Sequence, residues 1–326
     1  NMQEPPIISL IHFEKLMGSY GLYQHATIRE PNLAEGYCVD DNARAILVLL
    51  EYKKQFPEHS EKAEQFLASC FTFIHGAEHS PGIYYNFRDA NGVWLTHDVS
   101  EDMYARLART YTAILSQDTD SARKQTASRL LTNLIPTLEG LTAPRAQAET
   151  IIALAKHLEY ASLVTTHTKS LLALWNAQST PEWPWFQASM TYANAILPHS
   201  MLSSSHTEAI ECLHASAKFL METTIQDGVF IPIGNAAWYT KGKTRSLYDQ
   251  QPIEAGTMFD FLLAYREQFP EKVSEEQLRA PYTWFFGNNT KQIPMADVKT
   301  GACLDGLNET IPNRNYGAES MLAYLW

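Results

Sequence analysis

Apolar residues recur at three- and four-residue steps along most of this chain. This spacing is typical of amphipathic α-helices, because about 3.6 residues complete one turn and bring those positions to one face. The pattern predicts twelve helices, with bounds near residues 7–18, 42–55, 60–76, 101–116, 119–139, 145–164, 166–178, 192–202, 205–224, 252–268, 273–287 and 315–326. The chain is therefore predicted to be all-α.

Two stretches predict β-hairpins instead of helices. Residues 83–87 and 93–95 are rich in β-branched and aromatic side chains and lie on either side of Asn91-Gly92, a dipeptide that favours a tight turn. Residues 229–231 and 237–239 form a second candidate pair. Both lie between predicted helices, so we expect short hairpins within loops and no central sheet.

An internal repeat indicates how the helices are arranged. The segment Tyr52-Lys53-Lys54-Gln55-Phe56-Pro57-Glu58 recurs as Tyr265-Arg266-Glu267-Gln268-Phe269-Pro270-Glu271, and the same register aligns Asp41 with Glu254. Comparable helix starts are predicted near Asp41, Glu101, Glu149, Asn194, Glu254 and Glu319. Starts at this spacing are typical of stacked helical pairs, each of which buries its apolar faces on its neighbours.

The predicted connections are short at one end of this array and long at the other. Short links lie near residues 56–58, 117–118, 165–166, 203–204 and 269–270, and long segments span residues 19–40, 77–100, 179–191, 225–251 and 288–314. Long loops in a compact domain are usually functional. The sequence thus predicts an (α/α)6 barrel, a six-hairpin toroid, with short β-hairpins in its rim loops and with acidic and aromatic residues at its mouth.

Composition narrows the class of partner. The 326 residues, 45% of them hydrophobic, are predicted to form a single domain over residues 1–326 with a substantial core. A formal net charge of −11 argues against nucleic acid, and no apolar run reaches the roughly 20 residues of a membrane helix. The N-terminus has neither the basic start nor the apolar core of a signal peptide. Cys38, Cys70, Cys212 and Cys303 show no paired spacing, which predicts reduced thiols in a cytoplasmic protein.

Acidic side chains accompany three of the predicted helix starts. Asp40-Asp41-Asn42-Ala43-Arg44 and Ser100-Glu101-Asp102 each place an acid pair shortly before an arginine. Tyr248-Asp249-Gln250-Gln251-Pro252-Ile253-Glu254 crowds four hydrogen-bonding side chains beside Pro252, which suits a first helical turn. Helix capping and i,i+4 ion pairs are the plain alternatives, but four such side chains exceed what capping needs.

Aromatic residues in the predicted rim loops favour a carbohydrate subsite. Pro184 interrupts the segment Glu182-Trp183-Pro184-Trp185-Phe186-Gln187, and Trp238 lies in another rim loop. Flat rings can cover the apolar face of a sugar while amides and carboxylates bind its hydroxyls. The alternative is a loop that packs against the core.

Signatures of metal and nucleophile chemistry are missing from the sequence. The eleven histidines include no HExxH, and there is no GxSxG, Walker A or GxGxxG motif. We therefore predict neither a metal site nor a cofactor.

Taken together, these motifs resemble the bacterial six-hairpin glycosidase-like proteins, in particular an uncharacterised group associated with family-4-type glycosyltransferases. The resemblance covers most of the chain and is carried by residues 36–45, 100–102, 183–186, 232–235, 249–255, 305–307 and 313–320. It implies an (α/α)6 barrel with a sugar-related role, and a glycosyltransferase as a candidate partner. It implies no particular substrate.

Two positions depart from the pattern of that group. The group carries an acid where this chain has Gln187, and its Tyr-Asp-Asn-Ala motif appears here as Tyr192-Ala193-Asn194-Ala195. The internal repeat also suggests an acid at position 193, because Asp41-Asn42-Ala43 aligns with Ala193-Asn194-Ala195. If either acid normally transfers the proton, this protein binds a sugar without cleaving it.

The leading hypothesis is a glycoside hydrolase or phosphorylase that acts on an oligosaccharide through two carboxyl groups, one as acid and one as base or nucleophile. The candidate catalytic residues are Asp102 and Glu254, which we prefer, with Asp41 and Asp249. The expected substrate-binding residues are Asp40, Asn42, Arg44, Glu101, Trp183, Trp185, Gln187, Tyr192, Asn194, Trp238, Tyr248, Gln250, Gln251, Asp305, Asn313, Arg314, Asn315 and Glu319.

Two other functions fit the same rim. One is a non-catalytic sugar-binding domain that serves a glycosyltransferase, which Gln187 and Ala193 favour. The other is a sugar epimerase, which needs a proton-transfer pair at the mouth, and only His25, His97 and His199 are suitably placed along the chain.

Overall fold

A computed structural model of the chain describes residues 8–96 and 99–326. Within this part of the chain there are twelve α-helices, and each overlaps a predicted one. They are α1 (Ile11–Leu16), α2 (Val39–Gln55), α3 (Ser60–Ala77), α4 (Glu101–Gln117), α5 (Ser121–Glu139), α6 (Pro144–Leu154), α7 (Ala161–Gln178), α8 (Ile196–Ser203), α9 (Ala209–Thr224), α10 (Pro252–Gln268), α11 (Glu275–Trp284) and α12 (Ala318–Leu325).

The even-numbered helices form a closed inner ring in which each contacts the next and α12 returns to α2. The odd-numbered helices lie outside it: α3, α5, α7, α9 and α11 each pack on the preceding inner helix, and α1 packs on α12. This arrangement confirms the predicted (α/α)6 barrel. Gly256 lets α10 and α12 approach closely, because a Cβ atom there would lie 2.8 Å from the carbonyl oxygen of Ala323.

The apolar core fills the space between the two rings. Leu67 of α3, Leu107 of α4 and Phe261 of α10 are fully buried there. Burial of this kind contributes most of the stability of such a fold, at about 1.5–3 kcal/mol for each large apolar side chain. Among the described helices, none is long and apolar enough to cross a membrane. The single-domain organisation stays a prediction.

Local sequence explains where the inner helices begin. Cys38 is the N-cap of α2, and its Sγ accepts a hydrogen bond from the backbone N–H of Asp41 at 3.4 Å. Ser100 caps α4 in the same way through Met103 at 3.4 Å. Pro252 opens α10, where its missing N–H has no helical partner to lose. Because inner and outer helices alternate along the chain, these inner N-termini lie at the same end of the barrel.

Short strands lie in the connections between the helices. They are β1 (Ala26–Thr27), β2 (Glu30–Pro31), β3 (Tyr37–Cys38), β4 (Glu78–Ser80), β5 (Ile83–Tyr84), β6 (Phe87–Arg88), β7 (Trp94–Leu95), β8 (Ser189–Met190), β9 (Ile225–Gln226), β10 (Val229–Phe230), β11 (Tyr239–Thr240), β12 (Ala296–Asp297), β13 (Ala302–Cys303), β14 (Gly306–Leu307) and β15 (Pro312–Asn313). These strands pair in antiparallel fashion and form small sheets of two or three strands.

The strand pairing confirms one predicted hairpin in part and contradicts the other. β6 pairs with β7, as the Asn91-Gly92 turn predicts, but β5 pairs with β4. The second prediction is wrong, because β10 pairs with β9 while β11 pairs with β8. β8 follows the tryptophan-rich segment, so this pairing joins two rim loops that are far apart in sequence.

The repeated Gln-Phe-Pro-Glu segments form equivalent turns. The N–H groups of Phe56 and Phe269 each donate to the carbonyl four residues earlier at 2.8 Å, and a 3-10 turn follows each. One predicted link is wrong: α6 ends at Leu154 and α7 begins at Ala161, so the turn occupies residues 155–160. Glu149 accordingly lies inside α6 and not at its start.

Candidate active site at the barrel mouth

The inner helix N-termini and the long loops surround a cavity of about 350 Å³. Small-molecule sites typically have volumes of about 300–1,000 Å³. We call this the mouth cavity. Its described wall contains the acids Asp40, Asp102, Glu149 and Glu319, the arginines Arg44, Arg106 and Arg145, the aromatic residues Tyr192 and Trp238, and the polar residues Ser100, Asn235 and Gln251.

Arg44 is the centre of an ionic cluster at the start of α2. Its guanidinium lies 3.2 Å from Asp40, 3.1 Å from Asp41 and 2.6 Å from Glu319. Burial raises the pKa of Asp41 to about 6, although the charge of Arg44 opposes that rise. Among the described residues, these three carboxylates are the group best spaced to bind a metal ion. The guanidinium of Arg44 already provides their positive partner.

The ionic network continues from the mouth along the barrel axis. Arg106 lies 2.7 Å from Asp40 and 3.6 Å from Glu149, and Arg109 lies 3.2 Å from Glu149 and 3.1 Å from Asp260. Burial opposes ionisation of Glu149, but Arg109 and Arg106 lower its pKa overall. Glu149 is 2% exposed, and its Oε2 has no hydrogen-bond partner among the described residues. This oxygen is therefore a buried acceptor without a partner among the described residues.

Tyr192 and Ala193 form one wall of the mouth cavity, and Glu254 lies behind the backbone of Ala193. The N–H of Ala193 donates to Oε1 of Glu254, and the side-chain amide of Asn194 donates to Oε2 at 3.3 Å. Burial raises the pKa of Glu254 to about 7, against the lowering effect of these hydrogen bonds and of Arg145. Glu254 is 5% exposed and is not part of the described cavity wall. In this structure both of its carboxylate oxygens are engaged by residues 193 and 194.

Asp102 occupies a different environment on the first turn of α4. Its carboxylate accepts a hydrogen bond of 2.7 Å from the hydroxyl of Tyr192, and no described residue forms an ion pair with it. Tyr192 is 40% exposed, and the guanidinium of Arg145 lies 4.5 Å from the centre of its ring. Asp102 is thus the cavity carboxylate that is free of an arginine partner among the described residues.

The loop before α10 contributes less to the cavity than its composition suggests. Gln251 lies on the wall, whereas Gln250 is fully buried and binds Trp284 at 2.9 Å and Thr290 at 3.1 Å. The hydroxyl of Tyr248 donates to Thr290 at 3.2 Å. Asp249 is half-buried and lies outside the described wall. Gln250 and Tyr248 therefore tie this loop to the segment after α11.

The two tryptophans of the β8 loop do not offer a stacking surface in this structure. Trp183 is 3% exposed and Trp185 is fully buried. The indole N–H of Trp183 donates to the carbonyl of Gln187 at 2.8 Å, and its ring meets Tyr239 edge to face at 4.9 Å. The expectation that these rings face a sugar is corrected, because both pack into the core beneath the loop. Tyr192 and Trp238 are the aromatic residues of the wall.

Other predicted binding residues make local structural contacts outside the cavity wall. Asn42 binds both backbone polar groups of Leu22, at 2.8 and 3.1 Å. Glu101 accepts hydrogen bonds from the backbone of Thr142 and Ala143 at the start of α6. The side chain of Asp305 accepts a hydrogen bond from the N–H of Gly317 at 2.7 Å. The side chain of Asn313 accepts one from the N–H of Asn315 at 3.1 Å, and the side chain of Asn315 accepts one from the N–H of Ile28 at 2.9 Å. Arg314 is exposed.

Sequence reasoning missed several charged residues of the site: Arg106, Arg109, Arg145 and Asp260, together with the buried position of Glu149. The sequence does indicate two of these residues, because Arg145 and Glu149 lie four residues apart in a segment that is otherwise mostly apolar. Charged side chains on an inner helix are buried only when they are paired or face a polar cavity. Their spacing along α6 brings both to one face.

Comparison with known proteins supports the fold. No family model and no curated sequence matches the chain. Cellobiose 2-epimerase from Bacillus thermoamylovorans B4167 is similar in structure, with a TM-score of 0.72, 11% identity and coverage of 98% of this chain and 96% of that one. A D-mannose isomerase gives a TM-score of 0.71, 12% identity and coverage of 97% and 92%. An inactive variant of an α-1,6-mannanase from Salegentibacter sp. HEL1_6 gives a TM-score of 0.58 and 12% identity, with coverage of 96% of this chain and 94% of that one. At these identities the likeness shows a shared six-hairpin fold.

Proposed function

We propose that the mouth cavity binds a carbohydrate and that the protein is a carbohydrate-active enzyme with Asp102 as its principal acid–base group. The environment of Asp102 carries this proposal. Asp40, Glu149 and Glu319 each form an ion pair with an arginine, whereas Asp102 accepts only a tyrosine hydroxyl among its described contacts. A carboxylate without a fixed counter-ion is the one best able to exchange a proton with a substrate.

The rest of the wall suits a sugar. Tyr192 and Trp238 supply ring surfaces, and Ser100, Asn235 and Gln251 supply neutral hydrogen-bonding groups. The names of the structural neighbours, which convert or cleave sugars, point the same way.

Glycoside hydrolysis or phosphorolysis is the reaction that we propose first. Hydrolysis of the usual kind needs two carboxyl groups on either side of the scissile bond. Glu254 was the preferred partner of Asp102, but it lies behind the backbone of Ala193. We propose Glu319 as the second carboxyl, because its side chain is 44% exposed and lines the cavity. Glu254 then serves as a positioning residue for the wall at Ala193 and Asn194.

A sugar-binding domain without turnover, serving a glycosyltransferase in the cytoplasm, is the second candidate. It is favoured by the neutral side chains at Gln187 and Ala193 and by the position of Glu254 behind the wall. An epimerase has less support. No histidine occurs in the described cavity wall, His199 lies 3.8 Å from Asp260 deeper in the barrel, and His97 lies outside the described residues.

The test combines binding and turnover. Manno-, gluco- and galacto-oligosaccharides are titrated calorimetrically, with and without phosphate, and the mixtures are then analysed by chromatography for cleavage and for epimers. We expect cleavage that falls about 10²- to 10⁴-fold in Asp102→Asn, with binding retained. Asp227→Asn, an exposed turn position outside the described wall, makes the same chemical change and should leave cleavage unaltered. Binding without turnover selects the second candidate, and no binding refutes the carbohydrate proposal.

A further inference from the structure

Arg145 differs from the other arginines of the mouth cavity. Arg44 and Arg106 each lie within ion-pair distance of two or more carboxylates. Arg145 is only 7% exposed, lines the cavity, and forms no ion pair with any described residue. Its burial therefore lacks the direct negative partner that buried cations usually have.

The hydrogen bonds of Arg145 go to neutral acceptors. Its Nε donates to the backbone carbonyl of Tyr192, and its terminal nitrogens donate to Oε1 of Gln187 at 3.1 Å and to Oδ1 of Asn194 at 3.4 Å. These contacts fix the orientation of the guanidinium without neutralising its charge. Asp102 and Glu254 are near enough to attract it through space, but Asp102 accepts from Tyr192 and Glu254 accepts from the wall. Burial accordingly lowers the pKa of Arg145.

The internal repeat points to a carboxylate that this chain lacks in the segment that binds Arg145. Asn42 binds both backbone polar groups of Leu22, and Asn194 binds both backbone polar groups of Thr191, so the two asparagines have equivalent roles. The residue before Asn42 is Asp41, which forms an ion pair with Arg44 at 3.1 Å. The residue before Asn194 is Ala193, which has no charge to offer.

We propose that Arg145 binds an anionic group of the ligand, so that the carbohydrate carries a carboxylate or phosphate, or binds together with inorganic phosphate. This inference rests on the proposed carbohydrate-binding role of the same cavity. A guanidinium suits the purpose because its planar donors match the oxygens of carboxylate and phosphate groups. The ligand anion then provides the negative partner that the described residues do not supply.

Calorimetric titration of hexuronic acid oligosaccharides and of their neutral counterparts tests the inference. We expect the acidic sugars to bind about 10- to 100-fold more tightly, as one charge-assisted hydrogen-bonded contact provides. If the neutral sugar instead binds tightly only when inorganic phosphate is present, the anion is separate from the sugar and the assignment of Arg145 also stands.

One substitution supplies the missing negative charge without removing the arginine. Gln187→Glu places a carboxylate where an amide oxygen now lies 3.1 Å from Arg145. The acidic and neutral sugars should then bind with affinities that differ by no more than about threefold. Gln178→Glu makes the same change at an exposed position of α7 and should keep the full preference. Arg145→Gln removes the guanidinium itself. If this variant folds, it should lose the preference for the anion as Gln187→Glu does.

The outcomes separate the two proposals. Equal binding of acidic and neutral sugars, with no effect of phosphate, overturns the role of Arg145 while the carbohydrate function stands. An anion preference that survives Gln187→Glu also overturns it, because the anion would then bind elsewhere. Binding of neither class of sugar refutes both the inference and the proposed function.

Discussion

Replacing Glu254 with glutamine should change how the stability of this protein depends on pH. Glu254 has a pKa of about 7 in the folded protein, against an ordinary value of 4.5, because it is buried behind the cavity wall. The folded state therefore binds this proton more tightly than the unfolded state. The stabilisation that this bound proton gives the folded state is fully present below pH 4.5 and is lost as the pH rises through about 7.

The size of the effect follows from the two pKa values. A rise from 4.5 to about 7 corresponds to roughly 3 kcal/mol between the protonated and ionised forms. Asp41, with a pKa of about 6, also makes the folded state less stable as the pH rises. Because Asp41 is present in both proteins, its contribution cancels when their free energies of unfolding are compared. The amide nitrogen of the introduced glutamine would compete with the side-chain amide of Asn194, which now donates to Glu254 at 3.3 Å, and this adds a cost that does not vary with pH.

Urea unfolding at closely spaced pH values between about 4.5 and 8, followed by tryptophan fluorescence, measures this difference. The free energy of unfolding of the wild-type protein should fall relative to that of Glu254→Gln by roughly 3 kcal/mol across the range. Glu139→Gln, at an exposed position at the end of α5, should give a curve parallel to the wild type. Parallel curves for Glu254→Gln would refute the reasoning, because they would show that this carboxyl does not titrate there.

Four further substitutions test other parts of the site. Arg44→Gln should destabilise the fold by about 3–5 kcal/mol in thermal or urea unfolding, because it leaves three neighbouring carboxylates without their shared cation; a loss below about 1 kcal/mol would contradict this. Trp238→Ala should weaken sugar binding in calorimetry with little loss of stability, whereas Trp183→Ala should cost about 3–5 kcal/mol of stability, and the reverse pattern would show that Trp183 and not Trp238 faces the ligand. Ala193→Asp should fold normally, because the φ of 45° at this position is better tolerated by aspartate than by alanine, and should raise the cleavage rate if position 193 normally carries the acid; an unchanged rate would exclude it.

The barrel could be predicted because its determinants are local and repeated. Most of the helices carry their own apolar periodicity, and short links require adjacent antiparallel helices. The Phe56 and Phe269 turns are alike in sequence and also in their hydrogen bonds. The break between α6 and α7 was missed because residues 155–160 contain neither proline nor glycine, so the helical pattern continues through a turn that tertiary packing imposes.

Strand pairing in the rim was harder to predict than the helices, since it joins distant loops. Ser189 of β8 and Thr240 of β11 are 51 residues apart, and each strand is only two residues long. Two-residue strands contain too little alternation to identify a partner. The wrong hairpin assignment of residues 229–239 therefore reflects a choice between nearby and distant partners that only the packed rim decides.

The direction of a side chain was the least predictable property of the site. Trp183 and Trp238 both lie in rim loops, yet the first packs in the core and the second lines the cavity. The backbone of Trp238 has a φ of 59°, in the left-handed region that bulky residues seldom adopt. Such backbone strain is tolerated where the surrounding structure fixes it, and neither its presence nor its effect on side-chain direction is visible in the sequence.

Ala193 connects the proposed chemistry with the proposed ligand. It lies between Tyr192 and Asn194, both of which accept hydrogen bonds from Arg145. A carboxylate introduced at Ala193 would therefore lie close to the guanidinium and would compete with an anionic ligand for it. If position 193 normally carries the acid and Arg145 binds the anion of the ligand, Ala193→Asp should gain turnover and lose the preference for acidic sugars together. A gain in turnover with the preference intact would place the anion away from Arg145, because the introduced carboxylate would already neutralise that guanidinium.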